Sequence, residues 1–413
     1  MKDRMTFFLR YLLTFLRWAL TSAAIGALCG VAGGLFARCV GLSARLFGEN
    51  GSLLYLLPAG GLAIVALYRL LRLPASIGTD AILQSVRTGE KVPVLLAPAI
   101  FLSTALTHLL GGSAGREGAA LQLGGSLGAF AGDLLRPRQD DRRIAELCGM
   151  AAVFSALFGT PFTAAVFVLE VVEVGAFNCR ALMPCAFSAV TAKIVAGLVG
   201  AEAEAFPLAA GLVRCGTVEL LRALALGALC AGVAVLFCFA MRLSHRYAKK
   251  LVSNDWLRAA LGGALVVALT LLTGSRDYNG GGMAVILRAL GGEASPFAFL
   301  LKIAFTAVSL SCGFKGGEIV PSFFTGATFG CFAAGLIGLN PAVGAALGLV
   351  CVFCGVTNAP VASLLLSVEL FGTEYLPLFG VALAVTFMLS GHISLYHSQT
   401  FAHPKLGEGC DSD

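Results

Sequence analysis

Charge is scarce in this chain. Only 13% of its 413 residues are Asp, Glu, Lys or Arg, against about 25% in an ordinary soluble domain. That shortage excludes a conventional water-soluble globule. The chain also lacks HExxH, the phosphate loop GxxxxGK[ST] and GxSxG, so zinc hydrolase, nucleotide hydrolase and serine hydrolase chemistry have no carrier. It has no basic soluble domain, and the net charge of +6 therefore reports membrane topology rather than nucleic-acid binding. Cysteine is not lacking, with thirteen residues. Cys351 and Cys354 form a CxxC inside an apolar stretch without a second pair or a nearby histidine, so they read as small buried hydrophobes. No metal and no cofactor are expected.

What fills the chain is apolar residue, 58% of the total, with a mean hydropathy of +0.87. Runs near or above the ~20 residues that span a bilayer recur from end to end. They fall near 10–38, 52–71, 93–112, 145–172, 182–200, 217–241, 257–273, 297–313, 322–338, 342–371 and 376–392. Some are long enough to hold two short helices. The weak alternating segments of a membrane barrel are absent. The pattern predicts an all-α polytopic membrane protein. The N-terminal run is too long for a cleaved signal and has no small-residue cleavage site. Basic loops at 1–10, 135–143 and 241–250 are expected on the cytoplasmic side.

Two stretches repeat. "GMAAVFSALFGTPFTAAVFVLE" from Gly149 matches "GLVCVFCGVTNAPVASLLLSVE" from Gly348, so that Pro161 and Pro360, and Glu170 and Glu369, coincide at an offset of 199. Upstream, "GSAGREGAALQLGGSLG" (112–128) matches "FKGGEIVPSFFTGATFG" (314–330) at an offset of 202. Two matches in one order at nearly one offset imply duplication. The domain plan is a cytoplasmic N-terminus (1–9), a first membrane repeat (10–200), a linker (201–216), a second repeat (217–396) and a short cytoplasmic tail (397–413) without a nucleotide-binding module. Duplicated halves place their sites near the bilayer midplane, where broken helices meet. Each matched proline is expected to interrupt or start a helix.

The glycines of "GSAGREG" precede good helix formers, so a helix should start near Arg116–Gly118. "KGGEIVP" repeats the design, with Pro321 in a first turn. Helix N-termini turned into the protein make an anion site largely from backbone N–H groups. Glu117 can occupy that site itself and leave it on protonation, acting as gate and proton carrier. Charge inside a membrane points to function by default. The structural alternatives are that Arg116 and Glu117 only tie helices together, that Glu318 only caps, and that Glu170 and Glu369 cap or tie loops at the membrane face. The last is the preferred reading of that pair.

These motifs resemble the CLC family of chloride channels and anion–proton exchangers. "GREGA" is similar to its "GREGP", which carries the gating glutamate, and "GGEIVP" to its "GxFxP". "SLYHSQTF" (394–401) resembles the inner-gate segment, with Tyr396 as the gate tyrosine. The resemblance implies an inverted-repeat fold and a halide pathway in each subunit of a homodimer, joined through helices near 149–173 and 348–372. Gly115, Arg116, Gly118, Gly317, Ile319 and Val320 would then surround the anion with Glu117. Where the family has "GSGIP" this chain has "SIGTD", which sets Ile77 at the coordinating serine, followed by Gly78 and Thr79. An internal glutamate of proton-exchanging members is matched by Val171, as in channel-type members.

The fluoride-exporting branch also has an apolar central residue, lacks the internal glutamate and carries "GGE", matching Gly316, Gly317 and Glu318. That branch has methionine where Ile77 stands and threonine where Val320 stands. Glu318 is a candidate second proton site. The expected function is proton-coupled exchange of halide, with fluoride ahead of chloride. The alternatives are a passive chloride channel of the same fold and an intramembrane enzyme using Glu117, which the missing catalytic signatures disfavour. Both termini are expected in the cytoplasm, and the membrane is expected to be a bacterial inner membrane.

Overall fold

The computed structural model describes residues 2–134, 139–209 and 216–405. In the first half run α1 (Lys2–Glu49), α2 (Leu57–Leu70), α3 (Thr79–Thr88), α4 (Leu96–Leu109), α5 (Glu117–Leu134), α6 (Gln139–Phe158), α7 (Pro161–Glu170) and α8 (Cys179–Leu198). The second half follows the same order with α9 (Thr217–Leu251), α10 (Asp255–Thr273), α11 (Met283–Leu290), α12 (Ala298–Ser311), α13 (Ile319–Ile337), α14 (Pro341–Thr357), α15 (Pro360–Phe371) and α16 (Leu376–Leu389). Among the described residues, six helical spans are long and apolar enough to cross a bilayer. The protein is a multi-pass membrane protein.

Each matched proline starts a helix. Pro161 and Pro360 are the first residues of α7 and α15, where a missing N–H costs nothing. The runs at 145–172 and 342–371 are accordingly two helices each. Gly159, with φ of +70°, and Asn358, at +53°, turn the chain between them. Two expectations need correction. The basic stretch 241–250 is not a loop but the end of α9, whose last turn holds Lys249 and Lys250, favourable at a helix C-terminus. Likewise residues 2–10 of the first basic stretch are helical, since α1 begins at Lys2.

Equivalent contacts hold both halves. α5 crosses α6, and α13 crosses α14, through glycine. A Cβ on Gly124 would stand 2.2 Å from the Gly149 carbonyl oxygen, and one on Gly326 would stand 2.2 Å from that of Gly348. Such small residues let membrane helices approach closely. Cys351 and Cys354 lie fully buried in α14.

The halves also cap one another. Glu170 ends α7, and its carboxylate accepts from the Val361 and Ala362 amides of α15 at 3.1 and 2.7 Å. Glu369 in α15 accepts from the Phe162 and Thr163 amides of α7 at 3.2 and 2.8 Å. The matched glutamates are thus reciprocal N-terminal caps, each satisfying the other repeat's orphan donors. A two-residue strand β1 (Glu173–Val174) pairs in parallel with β2 (Thr400–Phe401), which brings the segment after α16 back beneath α7.

Candidate anion site between the broken helices

The sequence "GSAGREG" builds a loop and then α5, and "FKGGEIV" builds a loop and then α13. The two loops meet. Gly115 N donates to the Gly317 carbonyl at 2.7 Å, and Gly317 N donates to the Gly115 carbonyl at 2.8 Å. The pairing is antiparallel. Equivalent residues that pair antiparallel are related as by a twofold axis in the membrane plane, the signature of an inverted repeat.

Hydroxyls hold each loop from behind, in a matched way. Ser113 N donates to Ser309 Oγ at 3.0 Å, and Lys315 N donates to Thr107 Oγ1 at 3.3 Å. Only glycine fits at the junction. A Cβ on Gly317 would lie 2.3 Å from Gly118 N, and one on Gly118 would lie 2.8 Å from Gly317 Cα.

Glu117 is fully buried. Its side chain folds back over its own helix, and Oε2 accepts from Arg116 N at 2.9 Å. A carboxylate thus sits on a helix N-terminus, where first-turn donors and the helix dipole favour negative charge. Arg116 Nε stands 3.6 Å from Glu117 Oε1, while its Nη2 makes a 2.7 Å ion pair with Glu204 Oε1. Nη2 also donates to the Leu157 carbonyl at 3.4 Å.

Cavities that share no lining residue approach this junction. One, of about 140 Å³, is lined by His108, Gly115, Arg116, Glu117, Glu204 and Val320 among others. The other, of about 470 Å³, is lined among others by Ile77, Thr79, Lys315, Gly316, Glu318 and Tyr396.

The larger cavity gathers Ile77, Gly78, Thr79, Glu318 and Tyr396. Gly78 precedes α3 in an extended conformation, and Thr79 Oγ1 donates to the Gly118 carbonyl at 3.3 Å. The "SIGTD" segment therefore touches the start of α5 directly. Glu318 occupies the cap position of α13 but its side chain caps no amide. Capping alone does not explain it. The Tyr396 phenol oxygen is buried without a protein partner. Ile319 is fully buried at the start of α13.

Four site residues escaped the sequence reading. Gln122 Nε2 donates to Thr79 Oγ1 at 3.2 Å. Lys315 Nζ donates to the carbonyls of Ala75 and Ile77 at 2.7 and 3.2 Å, and so orders the segment facing the cavity. His108 lies one turn before the first loop and faces the smaller cavity. Glu204 comes from the linker. Gln122 follows the apolar start of α5 by one turn, which was its only signal.

Among the described residues, sixteen α-helices in two inverted halves, with broken helices meeting around a buried carboxylate, have the architecture of a membrane transporter. A model of the family described as voltage gated chloride channel matches residues 60–391, and the chain belongs to that family. A chloride/fluoride channel protein of Pseudomonas syringae pv. tomato is 32% identical over 94% of this chain and 87% of its own length. The crystal structure of a CLC-type fluoride/proton antiporter, 30% identical, superposes with a TM-score of 0.90 over 94% of this chain and 98% of that one. A slow cyanobacterial chloride/proton antiporter matches in fold, with a TM-score of 0.75 at 20% identity over 91% of this chain and 94% of that one.

Proposed function

We propose that this protein exchanges a halide for protons, with fluoride ahead of chloride and Glu117 as both gate and proton carrier. The observation that carries the reading is the Glu117 carboxylate, buried, lining the smaller cavity and lying on the N-terminus of its own helix. As an anion it fills a position suited to a halide. Protonated, it loses its charge-assisted bond to Arg116 N and is free to leave, carrying the proton with it.

The names borne by the relatives favour fluoride and proton coupling. Ile77 supports the same ion, because it supplies no hydroxyl to a large halide while backbone N–H groups still serve a small hard one. Gly115, Arg116, Gly118 and Gly317 frame the junction. Thr79 and Gly78 approach it from α3, Ile319 and Val320 from α13, and Tyr396 offers a phenol donor. Glu318, facing the larger cavity without a cap to make, is the second proton site in place of the glutamate that Val171 replaces.

The larger cavity holds His245, Lys249 and Arg258 at its rim. By the positive-inside rule it opens to the cytoplasm, with both chain termini on that side of a bacterial inner membrane. The membrane repeats are 10–200 and 217–396, with 1–9 and 397–413 as cytoplasmic ends. Residues 406–413 lie outside the described structure. A homodimer forms through α7 and α15. The residues 149–158 and 348–357 of the expected interface are buried within the subunit, whereas Phe162 and Val361 stay 59% and 50% exposed.

The test is efflux of fluoride and of chloride from liposomes holding purified protein, with external pH recorded. Fluoride efflux with matched proton uptake, lost in Glu117→Gln, is expected. Glu318→Gln is expected to abolish proton coupling as well. Chloride efflux without proton movement, in a Glu117→Gln variant that stays conductive, would make the protein the passive channel that Val171 favours.

A further inference from the structure

We infer that Glu204, on the linker between the repeats, is the outer proton-transfer residue that loads Glu117. This rests on the exchange reading above. Glu204 and Glu117 share one guanidinium, that of Arg116, at 2.7 and 3.6 Å. With all three groups ionised the cluster carries a net charge of −1, and a single bound proton neutralises it. Such a set holds its proton as a unit.

The two carboxylates differ in access. The Glu204 side chain keeps 21% exposure and that of Glu117 keeps none. The Glu204 side chain therefore reaches toward solvent, with its Oε1 held by Arg116 and its Oε2 buried. Both line the same cavity of about 140 Å³, large enough for water.

Three buried polar atoms of the cluster, Glu117 Oε1, Arg116 Nε and Glu204 Oε2, have no hydrogen-bond partner in the protein. An ion pair made only to tie the linker down would not leave its second oxygen buried and unused. The linker has other anchors. Phe206 is buried and meets Phe323 edge-on at 6.3 Å, and Ala209 N donates to the Leu290 carbonyl at 3.3 Å. His108 from α4 is the other titratable group on the cavity, and Lys302 from α12 reaches the carbonyls of Tyr278 and Gly280 behind it. α1 contributes only Val40, Gly41 and Ala44, and the start of α11 only Gly281, Gly282 and Met283.

The step is a single proton transfer. The O–H bond on Glu204 breaks and one forms on Glu117, directly or through water in the cavity. The Glu204 carboxylate then takes its next proton from solvent. Running backwards, the same step unloads Glu117.

The experiment compares wild type, Glu117→Gln, Glu204→Gln and Glu204→Asp in liposomes, with anion binding measured on the same proteins in detergent. Glutamine keeps an oxygen for Arg116 but cannot carry the proton. Coupled fluoride and proton movement should fall about a hundredfold in Glu204→Gln, the low side of what a positioned proton-transfer group contributes. Its dependence on external pH should flatten while anion binding is kept. Glu204→Asp should transport at a rate between the two. Wild-type rate and pH profile in Glu204→Gln, or loss of anion binding together with transport, would overturn the relay while leaving the exchanger intact. Should Glu204→Gln not reconstitute, Glu204→Asp decides: slowed coupling with anion binding kept supports the relay, and a wild-type rate overturns it. A wild-type protein that moves anion without protons overturns both proposals.

Discussion

At Gly317 the site has no space to spare. The virtual Cβ that falls 2.3 Å from Gly118 N would have to push the broken helices apart, and overpacking of this kind costs about 1–3 kcal/mol. Gly317→Ala is therefore expected to lose transport and to unfold at lower temperature in detergent. Gly335→Ala, where a Cβ meets nothing within 4 Å, should be neutral or slightly stabilising, since alanine favours a helix interior. A Gly317→Ala protein with normal transport would refute the close junction. Glu117 was legible in the sequence because a charged pair between glycines in an apolar chain has few bland explanations. Glu204 was not, because "AEAEAFP" reads as a polar linker and nothing local says that one of its two glutamates folds back onto Arg116. The partner is 88 positions away, and only the fold brings it there.

Among the elements, the apolar helices were readable, including the 14-residue α4, α12 and α16, whereas α3 and α11 were not. α3 carries Asp80, Gln84, Ser85 and Arg87, too polar for an apolar run, and α11 has eight residues. Both owe their helicity to packing rather than to length. The repeats predicted that Glu170 and Glu369 would act alike, and both cap. The sequence could not say that each caps its counterpart's helix, since that depends on α7 lying against α15. Glu170→Ala and Glu369→Ala should each lower stability by roughly 0.5–2 kcal/mol, the range for a lost N-terminal cap. The effects should not add, because α7 and α15 supply both the caps and the capped amides. Thermal unfolding of the two single variants and the double variant measures this. A strictly additive double variant would mean that the caps are independent. Proton coupling should survive in both singles, which separates capping from transport chemistry.

For the molecule as a whole, sidedness is the property to test. Cysteine placed at Lys249, beside the larger cavity, should react with a membrane-impermeant thiol reagent only from the cytoplasm. Cysteine at Glu202, exposed on the linker, should react only from outside. Both belong in a background with Cys39, Cys179, Cys215, Cys312 and Cys410 changed to serine, because Cys179 is exposed, Cys39 and Cys312 are partly exposed, and Cys215 and Cys410 lie outside the described residues. Labelling of both from one side would contradict the topology. The overall architecture could be anticipated from hydropathy and the repeat, because length and duplication survive without knowledge of contacts. Helix ends could not, since α9 continues through a basic stretch that hydropathy alone assigns to a loop.

The bond pair between Gly115 and Gly317 has a mechanical consequence. A transport cycle that rocked one half of the protein against the other would break both of those bonds, together with the four amide contacts of Glu170 and Glu369. The halves are stitched at the proposed anion site, so the large swing that opens many duplicated carriers is closed to this one. What remains free to move is on the scale of a side chain: a carboxylate turning, a phenol ring yielding, a proton changing owner. Turnover in such a machine should depend more on when protons arrive than on how fast helices travel.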